Sequence, residues 1–167
     1  AADFQAGGGW IKIGSTVTAS SSSTVDFDDL ASTYSQYCII GSNIRPATDN
    51  VSLEVNFGTD GSTYAANKTS VVGYDYSNDA DDDAEGGGLS AAASIGNSTA
   101  DQVININMNN DSAEGKGGMM RAYFTELGQG SNDAIFDIYS VVYTYNNKVF
   151  ATRVAGSILA AADCIRF

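Results

Sequence analysis

The stretch SLEVNF, residues 52–57, places leucine, valine and phenylalanine at alternate positions between serine, glutamate and asparagine. Alternation with a period of two is typical of a β-strand that buries one of its faces. The dipeptide Asp60-Gly61, which favours a tight turn, follows a few residues later. This segment therefore predicts a half-buried strand that ends in a turn.

Short apolar runs of the same kind lie on both sides of this strand. They predict strands over residues 10–18, 25–27, 34–40, 53–57, 64–76, 104–108, 119–127, 135–145 and 148–155, with a last strand that ends at Phe167. We expect residues 34–40 to form a central strand, residues 64–76 to form the return strand after the turn, and residues 89–95 to form a strand or a short helix. Asn146-Asn147 suits a two-residue hairpin turn. About nine or ten short strands predict an all-β fold, an antiparallel β-sandwich or jelly roll.

The domain organisation predicted from the 167 residues is simple. Residues 1–9 end in three glycines and are expected to form a flexible lead-in. Residues 10–167 are predicted to form a single β-sandwich domain, since the chain has no internal repeat and no linker-like boundary. Within this domain the acidic and glycine-rich residues 77–88 are predicted to form an exposed loop.

Composition excludes several classes of function. The net charge is −12 and the isoelectric point is about 4.1, which argues against binding to nucleic acid or to an anionic membrane surface. The chain has no histidine, so it cannot contain a Ser-His-Asp or Cys-His catalytic site or a histidine-bearing zinc site. We therefore predict a non-enzymatic protein without a cofactor.

Three acidic residues, Asp79, Asp81 and Asp83, have the alternate spacing of a calcium-binding loop. Such a loop needs glycine at its sixth position and glutamate at its twelfth, and these positions hold Ala84 and Ser90. The segment is interpreted as a solvated acidic loop, and no metal site is predicted. A looser calcium site that includes a neighbouring carboxylate remains the alternative.

The candidate reactive residues are two cysteines and one aspartate, Cys38, Cys164 and Asp137. Cys38 and Cys164 lie in apolar, strand-like contexts, which predicts two buried free thiols and leaves a disulfide as the alternative. Asp137 is flanked by apolar residues, and we expect it on the polar face of a strand. Glycoside hydrolysis needs two matched carboxyl groups, and no pair of acids stands out. No catalytic residue is predicted.

Tyrosine is frequent, and its ring and hydroxyl suit either packing or stacking on sugar rings. Tyr139, Tyr143 and Tyr145 share strand parity and would lie on one face. The tyrosines considered are Tyr64, Tyr74, Tyr76, Tyr123, Tyr139, Tyr143 and Tyr145. Packing in the core or at an interface is the favoured interpretation, with glycan binding as the alternative. Four glycosylation-type sequons, at Asn50, Asn67, Asn97 and Asn110, are attributed to the high content of Asn, Ser and Thr.

The segment Ile44-Arg45-Pro46-Ala47-Thr48-Asp49-Asn50, with the strand after it and Thr59-Asp60-Gly61-Ser62-Thr63-Tyr64, resembles a known family. It is similar to domains of tail-fibre and other virion structural proteins of tailed phages, especially phages of aquatic bacteria. The likeness extends loosely from Trp10 and residues 16–20 to residues 95–97 and Ile165-Arg166-Phe167. In the family the last segment runs on into one more strand. Here either the chain is an incomplete view of a longer protein, or a neighbouring subunit covers an exposed edge.

The resemblance implies a β-rich virion module without catalytic residues, and a homo-oligomer for which a trimer is expected. The predicted function is that of a phage structural protein on the virion surface, as a tail-fibre or receptor-binding module or as a capsid-decorating module. Its partners would be sister subunits, other virion proteins and a host-surface glycan. The alternatives are a carbohydrate-binding module or lectin, with or without calcium, and a carboxylate-based glycan hydrolase.

Overall fold

The computed structural model describes residues 10–20, 22–30, 32–78, 85–110, 117–129, 134–144 and 148–167. Within these ranges the regular structure consists of strands and includes no helix. The strands are β1 (Asp26–Phe27), β2 (Gln36–Ile44), β3 (Val51–Gly58), β4 (Lys68–Asn78), β5 (Glu85–Leu89), β6 (Gln102–Met108), β7 (Gly118–Thr125), β8 (Ala134–Tyr143), β9 (Lys148–Ile158) and β10 (Cys164–Arg166).

These strands form two antiparallel sheets. The four-stranded sheet has the order β1-β10-β3-β6, and the six-stranded sheet has the order β2-β7-β8-β9-β4-β5. The two sheets share one hydrophobic core. The prediction of an all-β antiparallel sandwich of about ten strands is confirmed.

The core lies between the sheets because alternate residues of each strand point inward. Along β7 and β8 buried and exposed residues alternate almost without interruption. Phe57 of the four-stranded sheet packs against Phe124 and Phe136 of the six-stranded sheet, with ring centroids 6.0 and 5.1 Å apart. All three rings are at most 1% exposed, so they form the centre of the sandwich.

Several predictions of strand position were wrong. Residues 10–18 form no strand, although their apolar residues alternate, and Trp10, Ile11, Ile13 and Val17 are each at least half exposed. Of residues 89–95, only Leu89 belongs to a strand; residues 90–95 form neither strand nor helix and contain a turn at 91–93. Glu85–Leu89 forms a strand in place of part of the predicted loop. The Asn146-Asn147 turn lies outside the described residues, although β8 and β9 pair on either side of it.

The order of the strands also differs from expectation. The predicted central strand, β2, lies at one edge of the six-stranded sheet. The predicted return strand, β4, does not pair with β3 but crosses to the other sheet, where it lies between β9 and β5. The last strand, β10, is hydrogen-bonded to β1 on one side and β3 on the other. β10 is therefore not an edge strand of its sheet.

Strand β6 departs from simple alternation. Ile104 is buried as predicted, but Asn105 is also buried and Ile106 is 39% exposed. The register between β3 and β6 shifts on both sides of Leu53, at β-bulge-like irregularities, which interrupts strict alternation along the pair. The predicted amide-lined face of this strand is consequently turned into the sandwich at Asn105.

Candidate functional site

The outer face of the six-stranded sheet, which we call the sheet face, carries large apolar side chains that are exposed to solvent. They come from all six strands and are between 38% and 77% exposed: Ile40, Val71, Leu89, Met119, Tyr123, Ile135, Tyr139 and Val149. Single exposed apolar residues are normal on a protein surface, but a group that spans a whole sheet is a candidate interaction surface.

The described outward positions on five of the six strands of the sheet face together carry no net charge, although the chain is strongly acidic. The described outward positions of β2, β4, β7, β8 and β9 hold four charged residues: Asp75, Arg121, Asp137 and Arg153. Two of these form a bidentate ion pair, in which Arg153 Nε and Nη2 donate to Asp137 at 2.9 and 2.8 Å. Asp137 thus lies on the outer face of its strand, as predicted. Against a net charge of −12, this is a surface on which like-charge repulsion is small.

The tyrosines of β7 and β8 contribute to this face. Tyr139 is half exposed, Tyr143 is half-buried on the same side, and Tyr145 lies outside the described residues. The ring of Trp10 lies 6.0 Å from that of Tyr123, so the segment before β1 contacts the sheet face. Tyr123 and Tyr139 therefore expose part of their ring surface on the sheet face.

A second feature is a cleft of about 300 Å³ between the six-stranded sheet and β6, which we call the aromatic cleft. The ring of Phe150 stacks on Tyr74 at 5.5 Å and on Tyr76 at 6.2 Å, each with an interplanar angle of 6°. Lys148 Nζ lies 4.8 Å from the centre of the Tyr76 ring. The cleft is lined by Val72, Tyr74, Ser90, Ala93, Val103, Ile104, Asn105, Ile106, Phe150 and Thr152.

The polar groups at the floor of the aromatic cleft bond to one another. Asn105 Nδ2 donates to Ser140 Oγ at 2.9 Å, and its Oδ1 accepts from the Ile106 amide at 2.9 Å. Thr152 Oγ1 donates to the Ile104 carbonyl at 2.5 Å. A pocket with apolar walls and a few fixed polar groups is the usual form of a small-ligand site.

A third feature is a buried amine, in a group that we call the lysine cluster: Lys68, Asn56, Thr99 and Asp101. Lys68 Nζ donates to Asn56 Oδ1 at 2.7 Å and to the Thr99 carbonyl at 3.4 Å. Asn56 Nδ2 in turn donates to Asp101 Oδ1 at 2.5 Å. Lys68 is fully buried, and its desolvation lowers the pKa of the ammonium to about 8, although the charge of Asp101 opposes this shift.

Sequence reasoning did not find the lysine cluster. Its members lie at the end of β3, the start of β4 and just before β6, and only the sandwich brings them together. One signal was present, because Lys68 is the only lysine or arginine between Arg45 and Lys116.

Tyr64, in the segment that resembles the phage domains, has a structural role. Its hydroxyl donates to Asp28, and the Arg166 guanidinium lies 3.9 Å from the centre of its ring. Arg166 also forms a bidentate ion pair with Asp26, with both nitrogen–oxygen distances at 2.7 Å. Tyr64 therefore helps to join β1 to β10 and is not available to stack on a sugar.

The Asp26–Arg166 pair predicts a pH-dependent contribution to stability. Hydrogen bonding to Arg166 lowers the pKa of Asp26 below its unfolded value of about 3.9. A depressed carboxyl pKa stabilises the fold above the unfolded value, and this contribution is lost as the pH falls through the folded value. Asp26→Asn should therefore cost up to about 1 kcal/mol at pH 7, and less at pH 3. Urea denaturation at the two pH values measures this.

The matched control for this prediction is Asp137→Asn, which removes a similar pair with Arg153 on a more exposed surface. We expect a smaller loss there. A loss at Asp26→Asn that is equal at pH 7 and pH 3 would contradict the assignment.

Cys38 and Cys164 are free thiols; Cys164 is buried as predicted, but Cys38 is only half-buried. Desolvation raises the pKa of both, that of Cys164 to about 12. The four sequon asparagines are exposed, and Asp79, Asp81 and Asp83 lie outside the described residues.

The described residues contain neither a metal-binding group of side chains nor a membrane-spanning helix. No group of three or more acidic or cysteine side chains in these ranges is placed to hold a metal ion. The same ranges contain no helix that is long and apolar enough to cross a membrane.

The sheet face, the aromatic cleft and the lysine cluster are thus defined by the geometry of this chain alone. Comparisons with protein-family models, with curated proteins and with solved structures found no match.

Proposed function

We propose that this protein is a non-enzymatic structural protein on the surface of a tailed-phage virion, as a tail-fibre or receptor-binding module or as a capsid-decorating module. It works by packing its sheet face against sister subunits. The observation that carries the proposal is the apolar sheet face, on which the described outward positions of β2, β4, β7, β8 and β9 together carry no net charge, on a chain of net charge −12. The resemblance of residues 44–64 to virion domains is the reason for proposing a location on a virion.

Charge favours a second copy of the chain as the occupant of the sheet face. Most of the molecule is acidic, so two copies repel each other in most orientations. The sheet face reduces this repulsion, and Arg121 of one copy can meet Asp75 of the other across a self-complementary contact. Burial of its exposed aliphatic and aromatic side chains supplies the favourable free energy. The acidic surface that remains outside keeps assembled particles soluble.

The role on the particle is tested by imaging virions that contain or lack this chain. Copies in the hundreds over the head would support capsid decoration, and loss of the chain should then weaken the capsid. A few copies at the tail would support an adhesin, and loss should then abolish attachment. Absence of the chain from particles would contradict the virion proposal.

The assembly step predicts the effect of a charge on the sheet face. Ile135 is 56% exposed on the sheet face, near the start of β8. Ile135→Lys should weaken self-association at least about tenfold, because it removes buried apolar area and places a cation in the contact. Sedimentation equilibrium of the purified chain measures this.

The control is Leu159→Lys, which adds the same charge at an exposed leucine beyond the end of β9. It should leave self-association unchanged. A wild-type chain that remains a monomer and binds glycan would instead favour a carbohydrate-binding module, with the aromatic cleft as its site.

A further inference from the structure

The lysine cluster holds the three groups that an amide-forming reaction between side chains needs. Lys68 supplies an amine, Asn56 supplies a carboxamide whose oxygen lies 2.7 Å from that amine, and Asp101 supplies a carboxyl group at the carboxamide nitrogen. Lys68 belongs to the six-stranded sheet and Asn56 to the four-stranded sheet. Both residues are buried, at 0% and 8% exposure, which limits the access of water to the reacting groups.

The geometry points to a self-catalysed isopeptide bond between Lys68 and Asn56 that covalently joins the two sheets. The Lys68 Nζ lone pair attacks Asn56 Cγ, and the Nζ–Cγ bond forms. The Cγ–Nδ2 bond then breaks, and Nδ2 leaves as ammonia with a proton that originates on the amine. The products are one secondary amide and one ammonia molecule, so the step needs no oxidant, reductant or cofactor.

Burial prepares the amine for this attack. Only the neutral amine has a free lone pair, and an ordinary lysine, with a pKa of about 10.4, is almost entirely charged at neutral pH. Desolvation lowers the pKa of Lys68 to about 8. The described hydrogen-bond partners of Nζ are two neutral oxygen atoms, those of Asn56 and Thr99, which also hold the amine beside the carboxamide.

The carboxamide is polarised for the attack. The backbone amide of Phe57 donates a hydrogen bond to Asn56 Oδ1 at 2.9 Å, in a buried environment. Negative charge develops on this oxygen when nitrogen adds to Cγ. A fixed donor to a buried oxygen stabilises that charge more strongly than it would in solution.

Asp101 is placed to move the proton. Its Oδ1 lies 2.5 Å from Nδ2, the nitrogen that must leave. It can accept a proton from the attacking amine and deliver it to Nδ2, because a neutral ammonia is a far better leaving group than an amide anion. The Thr99 carbonyl, which accepts from Nδ2 at 3.3 Å, holds the leaving group in this orientation.

Intact-mass measurement of the full chain, folded at pH 8, tests the proposal. The expected mass is lower than that of the sequence by one ammonia molecule. Trypsin cleaves after lysine and does not cleave before Pro46, so an unlinked chain yields the fragment 13–68. A linked Lys68 resists trypsin, and the expected fragment is 13–116, lighter by one ammonia. Full mass with the fragment 13–68 would overturn the proposal.

Two variants test the isopeptide bond and the role of Asp101 in forming it. Lys68→Met removes the amine and should restore full mass; loss of ammonia that persists there would mean cyclisation of an asparagine and would overturn the proposal. Asp101→Asn keeps the size of the side chain and should slow bond formation at least about a hundredfold. Asp29→Asn, at an exposed position outside the lysine cluster and the sheet face, is the matched control and should form the bond at the wild-type rate. An Asp101→Asn chain that reacts as fast as wild type would overturn the role of Asp101.

Discussion

Phe57→Ala is expected to lower the free energy of unfolding by about 3–5 kcal/mol, which is a large part of the stability of a domain of this size. Phe57 is fully buried between the sheets and contacts Phe124 and Phe136 from the opposite sheet. Alanine removes the apolar area of the ring and leaves a cavity, because the antiparallel ladders on both sides hold the backbone in place. Urea denaturation followed by tyrosine fluorescence measures the loss.

A matched comparison comes from Phe27→Ala. Phe27 is only partly buried, in the two-residue strand β1 at an edge, where its ring meets Phe167 at 6.2 Å. Its truncation should cost clearly less than that of Phe57. Equal losses for the two variants would mean that Phe57 is not the centre of the core.

The second large effect is expected for Gly156→Val. Gly156 lies in β9 beneath the ring of Phe136, and a Cβ at this position would lie 2.5 Å from Phe136 Cζ and 2.2 Å from the Thr69 carbonyl oxygen. Neither neighbour can move freely, because one is a buried core ring and the other is backbone of the adjacent strand. Overpacking of this kind should cost about 3 kcal/mol. Urea denaturation again provides the measurement.

The control for this change is Gly73→Val in the neighbouring strand β4. Its nearest neighbours would be 3.9 Å or more from an added Cβ, and the position faces outward. Valine favours strands, so we expect a change within about 0.5 kcal/mol. If Gly156→Val were equally neutral, the close packing of Phe136 on β9 would be wrong.

The sequence predicted those features that depend on local alternation. Residues 52–57 gave β3 with the correct buried face, and β7, β8 and β9 followed from the same pattern. Alternation failed at residues 10–18, which match the pattern but find no strand to pair with in the described chain. A strand needs a neighbour as well as a suitable face, and local sequence does not specify the neighbour.

The order of the strands in the sheets could not be predicted for the same reason, because local sequence does not specify which strands pair. The chain leaves β3 for the other sheet, and it returns to β3 only with β6 and β10. The candidate sites depend on these crossings. To predict the sheet face, one must know which side of each of the six strands lies outward. To predict the lysine cluster, one must know that three segments distant in sequence come together. The tyrosines of β8 were placed correctly on one face because that inference needed parity alone.

The pairing of β1 with β10 determines how the fold responds to mechanical force. The Val25 amide donates to the Phe167 carbonyl and the Phe167 amide to the Val25 carbonyl, so these two points of the chain lie side by side at one end of the pair. Hydrogen bonds of an antiparallel pair lie perpendicular to the strands. Tension applied between these two points therefore opens the pair one bond at a time, as a zipper opens, and meets little resistance. A shear force along the strands of the six-stranded sheet must instead break many bonds together.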